Sequence, residues 1–158
     1  MSVTAGIGYD CHRFAPGRRL VLGGVEIPNE LGLEGHSDAD VLTHAVIDAL
    51  LGAAALGDIG QHFADDDPAY AGADSLVLLR EAAKLVVDAG FQVANVDVTV
   101  VLERPKLERH RVPMAANLAA AIGIAVERVS VKATRGEGMG FVGRGEGAAA
   151  LAVATIEG

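Results

Sequence analysis

The sequence predicts an α/β fold, an α+β two-layer sandwich in which a mixed β-sheet carries its helices on one face. Three observations predict it. Segments with apolar alternation of period 2 and segments with helical periodicity follow one another in the order ββ-α-α-β-α-β-β. Hydrophobic residues make up 51% of the 158 residues and aromatics only 4%, so the core is expected to be aliphatic and rich in alanine. Glycine and proline stand at the boundaries between the periodic segments. A single layer of helices leaves the other sheet face apolar and uncovered, so burial against further copies of the chain is expected. No internal repeat and no long linker divides residues 1–158, which read as one domain.

The elements are expected as follows. Residues 3–14 and 20–27 alternate as two strands around the Pro16-Gly17 turn, and 28–36 read as a glycine-rich loop. Ser37 caps a helix that carries Val41, Leu42, Ala45, Leu50 and Leu51 to about Leu56, with Asp40 at the acidic third position and Gly57 as the stop. Residues 57–73 form an acidic loop. A second helix starts at Asp74 or Ser75, carries Leu76, Leu79, Ala83, Val86 and Val87, and stops at Gly90. Residues 91–103 alternate as a long strand. After the break at Arg104-Pro105, a third helix spans about 108–122 and stops at Gly123. A strand begins at Val129, a stretch with six glycines covers 134–147, and a last strand covers 148–156.

Composition excludes several functions. A net charge of −8 opposes non-specific binding of nucleic acid. No apolar run approaches the ~20 residues of a membrane helix, and the N-terminus lacks a signal-peptide pattern. Cys11 is the only cysteine, so no disulfide forms within the chain, which fits a reducing compartment. A cytoplasmic protein is expected. An anionic substrate would need a metal or a basic cluster to overcome the general field.

Asp10 and His12 lie two apart in a strand, so both project from one face, roughly 7 Å apart along the chain. Cys11 between them points to the other face, where a packed core thiol is expected. His44 on the first helix is a third ligand candidate, and Asp40 and Asp48 at i−4 and i+4 could hold its second ring nitrogen. Two histidines, one carboxylate and an open position describe a catalytic zinc site. By spacing alone, a solvated aspartate with two unrelated histidines remains open. His36 and Ser37 stand at a helix N-terminus, where a phosphate or plain solvent fits. Asp58, Asp65, Asp66 and Asp67 suit hydroxyls, Mg²⁺ or a solvated acidic loop. Lys132 to Gly138 and Phe141 to Gly147 suit a phosphate cradle or a mobile hairpin loop, and the P-loop ending is absent. Lys106, after Pro105, faces a ligand or solvent.

Taken together these motifs resemble the 2-C-methyl-D-erythritol 2,4-cyclodiphosphate synthase family. The resemblance is carried by Gly8-x-Asp10-x-His12-Arg13-Phe14, His36-Ser37-Asp38-x-Asp40, Asp48-Ala49-Leu50-Leu51-Gly52-Ala53 and Leu56-Gly57-Asp58-Ile59-Gly60. It continues through Phe63-x-Asp65-x-Asp67-Pro68, Pro105-Lys106, Lys132-Ala133-Thr134 and Gly140-Phe141-x-Gly143-Arg144-Gly145-Glu146-Gly147. It implies a homotrimer with active sites between subunits. The implied reaction closes 4-diphosphocytidyl-2-C-methyl-D-erythritol 2-phosphate into a cyclic diphosphate with release of CMP, in the non-mevalonate route to isoprenoids. By that likeness Asp10, His12 and His44 hold zinc against the β-phosphate, and Glu137 serves a second divalent ion, Mg²⁺ or Mn²⁺. His36 and Arg135 would stabilise the transition state. Ser37, Asp58, Ile59, Gly60, Phe63, Asp65, Asp66 and Asp67 would line the erythritol side. Pro105, Lys106, Lys132, Ala133 and Thr134 would hold the cytidine and its phosphates. Phe141 and Arg144 would border a central channel that takes an isoprenoid diphosphate. Three positions depart from the family pattern: Arg135 stands where threonine is usual, Ala64 for proline and Asp66 for threonine. Arg135 would bring a full charge to the phosphates or point away from them. A zinc phosphohydrolase, and a trimeric isoprenoid-diphosphate binder with structural zinc, are the competing expectations.

Overall fold

The structure, a computed structural model, describes residues 1–158. Its strands are β1 (Val3–Pro16), β2 (Leu20–Leu22), β3 (Val25–Ile27), β4 (Leu31–Leu33), β5 (Gln92–Val101), β6 (Val129–Thr134) and β7 (Gly147–Glu157). Its helices are α1 (Val41–Ala53), α2 (Ile59–His62), α3 (Ser75–Asp88), α4 (Arg111–Ile122) and the single turn α5 (Gly140–Gly143). Five strands form one mixed sheet in the order β4-β1-β7-β5-β6, with β5 and β6 parallel and the other pairs antiparallel. The expected mixed sheet is present, with its helices over one face.

The core lies between that face and α1, α3 and α4. Val96, Val98 and Val100 of β5 and Ala148, Ala150, Ala152 and Ala154 of β7 are buried against Leu42, Leu50, Leu79, Met114 and Leu118. Small side chains on β7 let α1 lie close to the sheet. The closest approach is at β1. A Cβ on Gly8 would run into the backbone carbonyl of Ala45, and a Cβ on Gly6 into that of Ala49. Gly6 and Gly8 therefore face Ala45, Ala49 and Ala53, which recur every four residues along α1 and form one small-residue ridge. Asp10 and His12 continue the same strand face, at the level of the first turns of α1.

The opposite face carries no layer within the chain. Val3, Ile7, Tyr9, Leu151 and Val153 are exposed there, Ile7 at 71%. Cys11 shares this face and is exposed. The alternation of the strand is as expected, but the packed core thiol is not: the side it faces has no covering element in the chain.

Several boundaries differ from the sequence expectation. Residues 20–27 form a hairpin apart from the main sheet, because Gly23 and Gly24, both at positive φ, turn the chain between β2 and β3. The expected 28–36 loop contains β4, an edge strand paired to the end of β1. Ser37 does not cap α1. The cap is Asp40, whose buried carboxylate accepts the Thr43 amide at 3.0 Å, the Thr43 hydroxyl, and the Gly23 and Gly24 amides. Helix α1 ends at Ala53, before Gly57. The acidic loop contains the short α2 and one 3₁₀ turn, Pro68–Tyr70. The glycine-rich segment contains α5 and is no hairpin loop: β6 and β7 are not neighbours, since β5 lies between them. Asp74 caps α3, and Gly123, in the left-handed conformation, ends α4, both as expected.

Gly8→Ala is expected to cost about 1–3 kcal/mol, because neither the strand nor the helix backbone can yield to the added methyl. Urea unfolding measures this, and an unchanged midpoint would contradict the close β1–α1 contact.

Candidate metal centre and cavity

Asp10 and His12 leave β1 side by side, and His44 reaches them from the first turn of α1. One ligand atom from each of the three lies within 4.8 Å of the others. Asp10 Oδ2 is 3.1 Å from His12 Nδ1 and 3.1 Å from His44 Nδ1. The two rings stand 5.6 Å apart. His12 Nδ1 is buried, and its contact with Asp10 is too poorly aligned to be a hydrogen bond. A buried nitrogen without a partner costs free energy unless something else satisfies it, and a cation between the three groups would do so. Two imidazoles and one carboxylate fit a divalent ion such as zinc.

The electrostatics of the metal-free cluster follow from its geometry. Burial pushes the Asp10 carboxyl up, but the close contacts and charges of His12 and His44 outweigh it and hold the carboxyl below its usual range. Burial pushes the His44 imidazole down, while the hydrogen bond and charge of Asp10 outweigh it and raise the imidazole. In the absence of metal this favours the protonated ring, with Nδ1, the atom a metal would take, facing Asp10. Its other nitrogen, Nε2, lies 2.8 Å from Ser75 Oγ and 3.2 Å from Ser37 Oγ. The expected partners Asp40 and Asp48 are engaged elsewhere: Asp40 caps α1, and Asp48 accepts the Ile59 amide at 2.9 Å. Ser75, 31 residues away in sequence, carried no signal pointing to His44.

The cluster opens into a cavity of about 300 Å³ whose lining includes His36, Ser37, Ile59, Gly60, Phe63 and Asp65. His36 Nε2 lies 2.7 Å from the carbonyl of Asp67. A carbonyl only accepts, so Nε2 carries a hydrogen and Nδ1 is the variable site of that ring. Phe63 stands edge-on to Tyr70, with centroids 5.7 Å apart. Tyr70 and Leu78 also line the cavity and had no motif to mark them. Asp58 lies at the start of α2 and closes a capping box with Gln61. Asp67 accepts the Ala69 amide as a cap, and Asp66 is exposed.

The second group of expected residues stands apart from this cavity within the chain. Lys132 pairs with Asp97 at 2.9 Å on the sheet face away from the helices. Arg135 lies 3.7 Å from Glu103, and the other oxygen of Glu103 accepts the Gly136 amide. Glu103 was not expected from sequence; the parallel register of Val101 with Thr134 brings it to this loop. A separate cavity of about 430 Å³ is lined by Phe14, Glu103, Arg104, Arg135 and Arg144, among others. Arg144 pairs with Glu146 at 3.1 Å. Phe141 borders a further cleft beside Cys11 and His12. Pro105 and Lys106 follow β5, Ala133 and Thr134 end β6, and Glu137 is exposed in the loop at a φ of 53°. No helix is long and apolar enough to cross a membrane.

Fold and site define the class: an α/β protein with a two-histidine, one-carboxylate cluster able to hold a metal ion at a cavity. The chain belongs to the YgbB family, whose model matches residues 3–157. The 2-C-methyl-D-erythritol 2,4-cyclodiphosphate synthase of Symbiobacterium thermophilum is 60% identical over 153 residues, which cover 97% of this chain and 98% of that one. The solved structure of a 2C-methyl-D-erythritol-2,4-cyclodiphosphate synthase in a CDP-bound form is similar at a TM-score of 0.88 and 37% identity, covering 97% of this chain and 99% of that one. The bifunctional IspDF of Campylobacter jejuni is similar at a TM-score of 0.95 and 41% identity, covering 98% of this chain and 42% of that one.

A raised His44 stabilises the fold fully below the unfolded histidine value of 6.5, and loses that contribution as pH rises through its folded value. A lowered Asp10 stabilises above the unfolded value of 3.8, and loses it as pH falls through its folded value. In metal-free protein, the Tm difference between wild type and Asp10→Asn is therefore expected to be largest between pH 3.8 and 6.5 and to shrink in alkali. A difference independent of pH would contradict the coupling.

Proposed function

We propose that this protein cyclises 4-diphosphocytidyl-2-C-methyl-D-erythritol 2-phosphate to 2-C-methyl-D-erythritol 2,4-cyclodiphosphate and releases CMP, acting as a phosphorus–oxygen lyase. The observation that carries the reading is the convergence of Asp10, His12 and His44 at the cavity that also holds His36 and Ser37. The names and identities of the relatives support the same reaction.

The substrate supplies its own nucleophile. An oxygen of the 2-phosphate bonds to the β-phosphorus, the bond from that phosphorus to the bridging oxygen breaks, and CMP leaves with the bridging oxygen. Atoms and charge balance without a protein nucleophile or water. The protein's task is to hold two anions together in line and to exclude water. Asp10, His12 and His44 would hold zinc, and Glu137 a second divalent ion, Mg²⁺ or Mn²⁺. Such ions supply positive charge at the phosphate oxygens. His36 offers Nδ1–H to a phosphate oxygen when its ring is protonated, since Nε2 is committed to the Asp67 carbonyl. Ser37, Ile59, Gly60, Phe63 and Asp65 line the erythritol side. Asp58, Asp66 and Asp67 shape that loop through its caps and charge.

Pro105, Lys106 and Lys132 to Thr134 would serve the nucleotide. In one chain they stand apart from the metal cluster, which supports sites completed between subunits of a homotrimer. The exposed apolar face of β1 and β7 supports the same assembly. Arg135 would act on the phosphates once released from Glu103, and Phe141 and Arg144 would border the channel between subunits. Purified protein should sediment at three times its 16.2 kDa chain mass; a monomer would contradict the shared site.

Incubation with the CDP substrate and Mg²⁺ should give CMP and a cyclic diphosphate in equal amounts by ³¹P NMR. A linear hydrolysed product would instead indicate a phosphohydrolase. Arg135→Ala is expected to lower kcat about tenfold or more, in the range of a lost electrostatic contact, with a smaller change in KM. An unchanged kcat would contradict its role.

A further inference from the structure

His44 presents Nδ1 to Asp10 and His12, and its far nitrogen, Nε2, lies 2.8 Å from the hydroxyl of Ser75. Ser75 is fully buried, and its hydroxyl donates a hydrogen bond to Asp38 Oδ1. We propose that Asp38 and Ser75 are positioning residues of the metal centre, forming a chain Asp38–Ser75–His44 that fixes the ring orientation and tautomer of His44 for a metal ion at Nδ1. The inference rests on the metal reading of the triad.

Proton counting sets every direction in the chain. A carboxylate only accepts, so the single hydroxyl proton of Ser75 goes to Asp38. The Ser75 oxygen then has only lone pairs to offer, so Nε2 of His44 must be the donor. A neutral imidazole with its hydrogen on Nε2 has its lone pair on Nδ1, where the other two ligands converge. The opposite tautomer would set lone pair against lone pair at Ser75.

The chain is held rigidly at its far end. Asp38 Oδ2 accepts the Ser75 amide at 2.9 Å, Asp38 Oδ1 also accepts the Asp40 amide at 3.1 Å, and the Asp38 amide donates to the Ala73 carbonyl at 3.1 Å. A purely structural role at the start of α3 does not explain the hydroxyl. Asp74 already caps that helix by accepting the Leu76 amide at 2.9 Å, and the Asp38–Ser75 amide contact needs no side chain on residue 75. The Ser75 hydroxyl is used only between a carboxylate and an imidazole. Ser37 Oγ is a longer neighbour of Nε2, at 3.2 Å, and it also accepts the Ala39 amide.

The test is the zinc dissociation constant, read at fixed pH by competition with a chromophoric chelator, with the Tm of the metal-free protein read alongside. Loss of such an outer hydrogen bond typically weakens metal binding about 10–100-fold, and Ser75→Ala is expected to fall in that range. Ser75→Thr, which keeps the hydroxyl, is expected to bind zinc much as wild type does. A Ser75→Ala protein that melts lower yet binds zinc like wild type would overturn the chain and leave the metal reading intact. If Ser75→Ala yields no folded protein, Asp38→Asn decides: weaker zinc binding supports the chain, and wild-type binding overturns it. Wild-type protein that takes up no zinc would overturn the metal reading itself, and the chain with it.

Discussion

The close contact between β1 and α1 fixes where the metal cluster forms. Gly6 and Gly8 leave no room for a side chain between the strand and the helix backbone. The alanines of α1 give a matching surface, and the alanines of β7 extend it across the sheet. The contact does more than fill the core. Strand periodicity puts Asp10 and His12 on the face that bears Gly6 and Gly8, and the helix placed against those glycines brings His44 down onto them. The metal cluster is a continuation of the packing, with ligands in place of small residues.

Electrostatics then depends on the same packing. Three groups are gathered where burial opposes charge, and they compensate one another: the imidazoles lower Asp10, and Asp10 raises His44. Such a cluster favours the protonated His44 imidazole, and a metal ion competes with that proton. An acidic chain with a net charge of −8 has no general attraction for a diphosphate. Locally held cations, with the basic residues around 132–144, would supply it. Within the single chain these two sets of groups line different cavities.

Much of this was legible in the sequence because it is periodic. Asp10 and His12 share a face by strand geometry, His44 sits near a helix start, and Asp74, Gly90 and Gly123 mark boundaries near where helices begin and end. What was not legible depends on contacts between distant segments. Ser37 has the chemistry of a cap, but Asp40 takes that place because the β2–β3 turn presents two further amides to it. Cys11 points as the strand period requires, yet its surroundings depend on a layer the chain does not contain. The 20–27 strand is split by Gly23 and Gly24. Ser75, Asp38 and Glu103 reach their partners across 31 to 37 residues of sequence, and no local pattern signals such meetings.

X-ray absorption at the zinc edge of the metal-loaded protein reads the ligand set of Asp10, His12 and His44 itself. Two imidazole nitrogens and one carboxylate oxygen are expected at about 2.0–2.2 Å, with the fourth position taken by water or a phosphate oxygen. His44→Ala should lose one imidazole from the shell. A sulfur scatterer near 2.3 Å, or a shell unchanged by His44→Ala, would contradict it.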